Sequence, residues 1–348
     1  MRYEDLYVAA VASSLPGRAS AREAVRAGRY DEDEFEEAGY ESVLVANGEA
    51  PPQMAVDAAR EALGRSGVRP ADVALVLHAS VYHQGHDFWP SASYIQRHAL
   101  PGCRAPALNV DQMSNGSLAA TELAASYLAA HGSRAAALVT AADKFCAPGF
   151  DRWRSDTGIV YGDGGVAAVL SRRGGLARLL SIVTVGDSDL EQMHRGARPF
   201  SAEPWGGDGP HDVRARKRAY IAEVGLRETF ERFAPALREV VQRSLDEAGI
   251  AQRDVARFIL PNVGRTLLER DYVRPLGLDW SQTLWDWGRR TGHLGAGDQL
   301  AGLANLVERR SVKPGDYLAL IGVGAGFTWT CAIVEIVSLT AATEDPTP

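Results

Sequence analysis

The stretch that decides the fold reads Asn109-Val110-Asp111-Gln112-Met113-Ser114-Asn115-Gly116-Ser117. It joins an apolar run over residues 107–111 to a small-residue helical pattern over residues 118–130. This order predicts a buried strand that enters a tight turn and continues as a helix. Ser114 then lies just before the first helical turn, where a serine is either an N-cap or a reactive group in front of the helix dipole.

Other apolar runs predict further buried strands on both sides of this turn. The full set of predicted strands is 6–12, 73–78, 107–111, 135–141, 166–170, 179–185, 258–260, 317–321 and 329–336. Helical patterns over 54–65, 118–130 and 226–248 separate several of them. Strands that alternate with helices of this length predict the α/β fold class, with a parallel or mixed sheet.

Two similar glycine turns indicate an internal duplication. Tyr161-Gly162-Asp163-Gly164-Gly165 precedes one predicted strand, and Gly322-Val323-Gly324-Ala325-Gly326 precedes another. Glycine turns before strands are common, so two copies are modest evidence. We expect the halves to be residues 1–172, which carry Ser114, and residues 173–348.

Composition excludes several classes of protein. The chain has 348 residues, 46% hydrophobic and 23% charged, which is an ordinary globular balance. A formal net charge of −7 argues against nucleic acid as the main partner. No apolar run has the length of a membrane span, and the N-terminus lacks the features of a signal peptide. Since the cysteines (Cys103, Cys146 and Cys331) are far apart, we expect a cytoplasmic location and no metal site.

The turn around Ser114 and three other blocks resemble the ketoacyl synthase III family. In that family a strand runs into a nucleophilic cysteine, then x-Gly and a small-residue helix. Residues 54–79 are similar to its first helix–strand unit, residues 161–170 to its Phe-Gly-Asp-Gly-Ala block, and residues 322–336 to its C-terminal glycine-rich block. The resemblance implies the thiolase fold, with duplicated α/β halves in a five-layered αβαβα arrangement, and usually a homodimer.

The chain departs from the family at three positions. Ser114 replaces the cysteine, Asn262 replaces the histidine of His-Gln-Ala-Asn, and His293 replaces the asparagine of Gly-Asn-Thr-Ser. Asp298 follows His293 by five residues. This set resembles a branch of ketoacyl synthase III-like acyltransferases in antibiotic pathways, including polyketide pathways, where serine or cysteine works with histidine and aspartate.

A serine at this turn needs a base, because its hydroxyl stays protonated at neutral pH. His293 is the candidate base and Asp298 the candidate orienting carboxylate, so Ser114, His293 and Asp298 are the predicted catalytic residues. Structural alternatives remain open for each of them. Ser114 is also a plausible N-cap, His293 a plausible structural histidine, and Asp298 a plausible first-turn acid of a helix over residues 299–308.

The oxyanion formed in acyl transfer needs preset donors. The main-chain amide of Ser114 is one candidate. The amide of Ala325 is the other, because its glycine neighbours allow the backbone to approach a substrate closely. Asn262 is predicted to polarise the thioester carbonyl or to hold the acceptor.

The resemblance implies an acyl-CoA or a phosphopantetheinyl acyl-carrier protein as donor substrate, with no bound cofactor. A basic run is predicted to dock this donor, with a solvated helix face as the alternative; its charged residues are Arg214, Arg216, Lys217 and Arg218. His194 is either a pocket residue or an exposed loop residue. Three tryptophans form either a pocket or a packed corner, and they are Trp280, Trp285 and Trp287.

These observations predict an acyltransferase that passes an acyl group through Ser114 to a thiol, hydroxyl or amine of a small molecule. One alternative is a starter-unit synthase that condenses the acyl group with malonyl-carrier protein. The family's histidine and asparagine donors for that reaction are both present, but their positions are exchanged, with Asn262 in the place of the histidine and His293 in the place of the asparagine. A second alternative is a non-catalytic family member.

Overall fold

The computed structural model describes residues 1–131, 135–200 and 209–339. Their strands are β1 (Tyr7–Ser14), β2 (Arg18–Ser20), β3 (Ser42–Leu44), β4 (Val73–Ala79), β5 (Ala107–Val110), β6 (Ala136–Asp143), β7 (Gly164–Ser171), β8 (Ala177–Gly186), β9 (Val255–Ile259), β10 (Tyr317–Gly324) and β11 (Thr328–Ile336). A nine-stranded sheet has the order β5-β4-β6-β7-β1-β8-β11-β10-β9, and β2 pairs with β3 separately.

Helices cover the sheet and connect its strands. The α-helices are α1 (Ala21–Arg26), α2 (Glu32–Ala38), α3 (Pro51–Ser66), α4 (Ser91–Ala99), α5 (Gly116–Ala129), α6 (Gln192–Arg195), α7 (Val213–Val224), α8 (Leu226–Glu231), α9 (Phe233–Ala248), α10 (Arg265–Leu268), α11 (Arg274–Leu276), α12 (Trp285–Gly288) and α13 (Asp298–Glu308). A π-helical turn, Glu269–Val273, joins α10 to α11.

The predicted strands are all present and together form the nine-stranded sheet, so the mixed α/β fold class is confirmed. Two details differ from the sequence-based prediction. The single helix expected over residues 226–248 is two helices, α8 and α9, which are separated at Arg232. The β2–β3 pair was not predicted, because three-residue strands are too short to show a period.

The strand order repeats across the sheet. On one side β4 and β6 are parallel, while β6–β7 and β7–β1 are antiparallel. On the other side β9 and β10 are parallel, while β10–β11 and β11–β8 are antiparallel. The two sets meet where Tyr7 and Val8 of β1 pair with Arg178 and Ala177 of β8. This repeat supports an internal duplication, and the division near residue 172 stays a prediction.

Two buried helices pack between the two sets of strands. Helix α5 contacts β4, β6 and β11, and helix α13 contacts β1, β7, β9 and β10. Leu118, Leu128 and Leu303 on these helices are fully buried, and each such side chain stabilises the fold by about 1.5–3 kcal/mol. Because α5 and α13 also contact each other, the turns that precede them are brought together, and these turns carry Ser114 and His293.

Candidate active site

Ser114 lies in a short 3-10 turn, Met113–Asn115, between β5 and α5. Met113 has a φ of 48°, a left-handed conformation that is unfavourable for a side chain of this size. Strained residues of this kind concentrate at functional sites. The turn leaves Ser114 half-buried, directly in front of the N-terminus of α5.

Two glycines hold this turn by close contacts. A β-carbon at Gly116 would lie 2.8 Å from that of Ala79 and 3.1 Å from that of Ala296. A β-carbon at Gly324 would lie 2.3 Å from the carbonyl oxygen of Gln112. Because Gly116 has no side chain, the N-terminus of α5 packs closely against the turn that precedes α13. In the same way, Gly324 allows the end of β10 to pack against the turn that carries Ser114.

A hydrogen-bonded chain links the three predicted catalytic side chains. The Ser114 Oγ lies 2.8 Å from His293 Nε2, and His293 Nδ1 lies 2.5 Å from Asp298 Oδ2. With His293 neutral and protonated on Nδ1, the serine hydroxyl donates to Nε2 and Nδ1 donates to the carboxylate. The arrangement has the geometry of a serine–histidine–aspartate triad.

Asp298 is fully buried and accepts four hydrogen bonds. Besides His293, its donors are the Leu294 amide, the Asn262 amide and the Asn262 side chain, at 2.8, 2.8 and 3.0 Å. These bonds fix the carboxylate and compensate for the desolvation of its charge. Asp298 also begins α13, so the helix-start role and the orienting role coexist in one residue.

His293 is buried and fixed by its backbone as well as by its ring. Its amide donates to Val160 O, and its carbonyl accepts from Gly162 N, both at 2.9 Å. Burial lowers the pKa of His293, but the charge and hydrogen bond of Asp298 outweigh it, and Asp156 and Asp143 act in the same direction. The pKa is therefore raised above the ordinary value, which suits a group that accepts a proton near neutral pH.

Asp143, which was not predicted from the sequence, is a second buried acid beside the triad. Burial raises its pKa to about 7, although the amides of Ala296, Tyr82 and Val81 donate to it and oppose this shift. A β-carbon at Gly295 would lie 2.3 Å from its Oδ2. Asp143 thus anchors the turn between His293 and Asp298.

A polar network below Ser114 was also missed. The side-chain amide of Asn115 donates to Thr330 Oγ1 at 2.8 Å and to Thr328 Oγ1 at 3.1 Å. The hydroxyl of Thr330 in turn lies 2.7 Å from that of Thr184. The network ties the turn of Ser114 to β11 and β8, and only the folded sheet brings these residues together.

Asn262 holds the carboxylate of Asp298, a contact that was not predicted. One N–H group of its side-chain amide donates to Asp298 Oδ1, and its main-chain carbonyl oxygen accepts from the Tyr40 hydroxyl at 2.8 Å. Asn262 is buried, and a buried amide must satisfy its donors. Asn262 therefore positions the carboxylate, and a contact of its second N–H group with a thioester carbonyl or an acceptor stays a prediction.

The basic run makes internal contacts that were not predicted, and its role in donor docking stays a prediction. Arg214 pairs with Glu34 at 2.7 Å, and the Lys217 ammonium pairs with the buried Asp156 at 2.7 Å. Arg216 is half-buried and donates to the carbonyl of His194 at 3.0 Å. Arg218 alone among the four is exposed. The run lies on α7, whose inward face uses these charges for internal pairs.

The other features considered from the sequence are the three tryptophans, a metal site and a membrane span. Trp285 is buried, its ring centroid lies 6.0 Å from that of Trp280, and Trp287 packs against the main core, so the tryptophans form a packed corner. Within the described ranges, no group of three histidine, cysteine or acidic side chains is arranged to hold a metal ion. The helices in those ranges include none long and apolar enough to cross a membrane.

Comparisons with known proteins identify relatives of the chain. Residues 108–188 match the family model described as 3-oxoacyl-[acyl-carrier-protein] synthase III, and residues 245–336 match its C-terminal model. The beta-ketoacyl-[acyl-carrier-protein] synthase III of Rhizorhabdus wittichii is 29% identical, over 93% of this chain and 97% of its own length. The Rubrobacter xylanophilus enzyme of the same name is 25% identical, over 84% and 85%.

Solved structures extend the likeness to the whole chain. The structure of ChlB3, named as an acyltransferase, is 37% identical with a TM-score of 0.92, over 97% of this chain and 99% of its own. The 3-oxoacyl-[acyl-carrier-protein] synthase III of Aquifex aeolicus is 20% identical with a TM-score of 0.77, over 95% and 99%, and supports the fold alone. The fold, the turn around Ser114 and these matches show that the chain belongs to the ketoacyl-ACP synthase III family of the thiolase superfamily.

Proposed function

We propose that the protein is an acyltransferase that carries its acyl group on Ser114. The observation that carries the proposal is the hydrogen-bonded chain from Ser114 through His293 to Asp298. A thiol is activated without such a chain, whereas a hydroxyl depends on it. The 37% identity to a protein named as an acyltransferase supports the same reading.

Acylation begins with an acyl-CoA or acyl-carrier-protein thioester beside Ser114. His293 Nε2 takes the hydroxyl proton while Oγ attacks the thioester carbon, and the imidazolium is stabilised by Asp298. The amides of Ser114 and Ala325 are the proposed donors to the resulting oxyanion. Collapse breaks the carbon–sulfur bond, and the departing thiolate takes the proton from His293.

Transfer reverses these roles with a second nucleophile. His293 accepts a proton from a thiol, hydroxyl or amine, which attacks the ester carbon. The bond to Ser114 Oγ then breaks, and the serine recovers its proton from His293. No bound cofactor is needed for these steps. We place the reaction in the cytoplasm and in secondary-metabolite biosynthesis, in line with the antibiotic-pathway branch that the chain resembles.

Decarboxylative condensation with malonyl-carrier protein is the second candidate, because the curated relatives are named beta-ketoacyl synthases. One N–H group of the Asn262 side chain donates to Asp298 Oδ1 and is not available to an enolate formed from malonate, and this weighs toward transfer.

An acyl-CoA panel tests the proposal. Incubation should add the acyl mass to the wild-type protein and not to Ser114→Ala, and an added thiol or amine should then remove it. Incubation with malonyl-carrier protein should release no carbon dioxide. Carbon dioxide release with a β-ketoacyl product would establish condensation instead, and failure of every donor to acylate the protein would favour a non-catalytic role.

Two contacts with partners remain proposals. Strand β5 lies at one edge of the sheet, and Leu108 on it and Leu123 on α5 are each 54% exposed. An exposed apolar edge of this kind favours pairing with a second copy, as in a homodimer.

For the acidic carrier protein, we propose Arg218 as the docking residue, since it is the exposed member of the basic run.

A further inference from the structure

His194 is a half-buried histidine that the triad does not use. It lies on the short helix α6, between β8 and α7. Among the residues that the structure describes, neither of its ring nitrogens has a hydrogen-bond partner, although both are closed off from solvent. Buried polar atoms without partners destabilise a fold, so an unsatisfied pair of this kind calls for an explanation.

One face of His194 lies against the turn that carries a proposed oxyanion donor. Its ring stacks on Phe327 with centroids 5.5 Å apart and an angle of 27° between the planes. Phe327 follows Ala325 by two residues, and its amide and carbonyl bond to Asp187 at 3.3 and 2.9 Å. The Ala325–Phe327 turn is thereby fixed both to the segment that leads into α6 and to β10, whose end lies against the turn of Ser114.

Asp156 is a buried acid whose partners lie beside the triad. Its carboxylate accepts from the Tyr161 hydroxyl at 3.1 Å and from Lys217 at 2.7 Å. The ring centroid of Tyr161 lies 5.2 Å from that of His293. The charge of Asp156 acts on both imidazoles.

The charges around His194 keep it neutral. Burial lowers its pKa, Lys217 and Arg216 act in the same direction, Asp156 opposes them, and the resulting pKa is about 4. A neutral imidazole offers one donor and one acceptor. A hydroxyl or an amide can serve both nitrogens, a carbonyl can accept from the N–H group, and a purely alkyl group would leave both nitrogens unsatisfied.

We propose that His194 is a substrate-binding residue, whose ring nitrogens bond to a hydroxyl, carbonyl or amide group of the thioester that acylates Ser114. The inference rests on the proposed function and names the chemistry that the site selects. Two parts of a thioester carry such groups, the acyl chain and the amides of the pantetheine arm. The unfavourable desolvation of His194 in the free protein is offset only when substrate is bound.

Replacing His194 by Phe tests this idea through stability and binding together. Phenylalanine keeps the ring stack on Phe327 and removes both unsatisfied nitrogens. We expect the melting temperature to stay equal or rise, while kcat/KM for acylation falls about tenfold to hundredfold. His194→Gln, which restores one donor and one acceptor, should recover part of the loss. A fall in melting temperature in His194→Phe with unchanged kcat/KM would overturn the proposal.

The matched control is His131→Phe. His131 also stacks on an aromatic ring, that of Tyr127, at 4.0 Å, but it is exposed at the far end of α5. We expect this variant to leave both acylation and binding unchanged. An equal loss in the control would show that the histidine-to-phenylalanine change itself is the cause.

Calorimetric titration in a Ser114→Ala background separates this inference from the proposed function, because it measures binding without acylation. The probes are CoA, butyryl-CoA and 3-hydroxybutyryl-CoA, with and without His194→Phe. Weaker binding of all three would assign His194 to the pantetheine amides, weaker binding of the two acyl-CoAs but not of CoA would assign it to the thioester carbonyl, and weaker binding of 3-hydroxybutyryl-CoA alone would assign it to the acyl hydroxyl. Unchanged affinity for all three would overturn the inference, whether or not Ser114 is acylated.

Discussion

Two histidines, His293 of the triad and the half-buried His194 of α6, differ in the partners of their ring nitrogens and in the direction of their pKa shifts. Both ring nitrogens of His293 are occupied, one by Ser114 and one by Asp298, and its pKa is raised. Neither ring nitrogen of His194 has a hydrogen-bond partner among the described residues. Its pKa is lowered to about 4, chiefly by burial and also by Lys217.

The difference shows that a neighbouring carboxylate, more than burial, decides what a buried imidazole does. Asp298 lies within hydrogen-bonding distance of His293 and makes it a base. Asp156 acts on His194 as well, but Lys217 neutralises much of that charge by pairing with it. The imidazole of His293 therefore accepts a proton readily, whereas that of His194 stays neutral and is suited to hydrogen bonds with a neutral group.

Removing the base is expected to have the largest effect. His293→Ala should slow single-turnover acylation by about two to four orders of magnitude, because general-base catalysis contributes that much. Ser114→Cys combined with His293→Ala should recover part of the rate, since a thiolate needs less help. His131→Ala is the control. If stopped-flow acylation of His293→Ala matched that of the wild type, the two histidines would not differ in role.

Changing the carboxylate should give an intermediate effect. Asp298→Asn should slow acylation by about one to three orders of magnitude, because the imidazole loses its orientation and its charge partner. Urea unfolding should also show a stability loss of about 1–3 kcal/mol, since one amide cannot accept the four bonds made to Asp298.

Asp31→Asn provides the matched control for a helix-start aspartate. Asp31 caps α2 in an exposed position, where asparagine is an equally good cap. We expect its stability to change by a few tenths of a kcal/mol and its acylation rate to stay the same. An Asp298→Asn variant that behaved like this control would reduce Asp298 to a helix-dipole residue.

The packing that holds Ser114 near His293 can be tested at Gly116. Gly116→Ala would place a methyl group 2.8 Å from that of Ala79, and we expect a stability loss of about 1–3 kcal/mol with slower acylation. Gly64→Ala on α3 meets nothing within 4 Å and should stabilise the protein by up to about 1 kcal/mol. Similar unfolding free energies for the two variants would contradict this account of the turn.

The pH profile should show the smallest change and separates the two histidines further. Because neutral His293 is the base, acylation should fall as the pH drops through its pKa, which lies above the ordinary value of 6.5. Ser114→Cys with His293→Ala should replace this limb by the titration of the thiol, because the thiolate is its nucleophile, and His194→Phe should keep the histidine limb. If the residual acylation of the single variant His293→Ala kept the same acid limb, the limb would belong to another group, and Asp143, whose pKa is raised to about 7, would be the candidate.

Much of this molecule could be predicted from its sequence, for physical reasons that differ from part to part. The buried strands are continuous apolar runs, and Ser114, His293 and Asp298 were identified by resemblance and by the need of a serine for a base. The direction of the Asn262 amide and the pairing of Lys217 with Asp156 could not be predicted. They depend on contacts between residues 36 and 61 positions apart, which no local pattern encodes.

The most direct test of the account is the site of acylation. The protein is incubated with its best acyl-CoA donor, digested under conditions that preserve esters, and mapped by tandem mass spectrometry. We predict an acyl ester on Ser114 in the wild type, and its absence in Ser114→Ala. An adduct found only on Cys103, Cys146 or Cys331 would contradict serine catalysis and the function proposed from it.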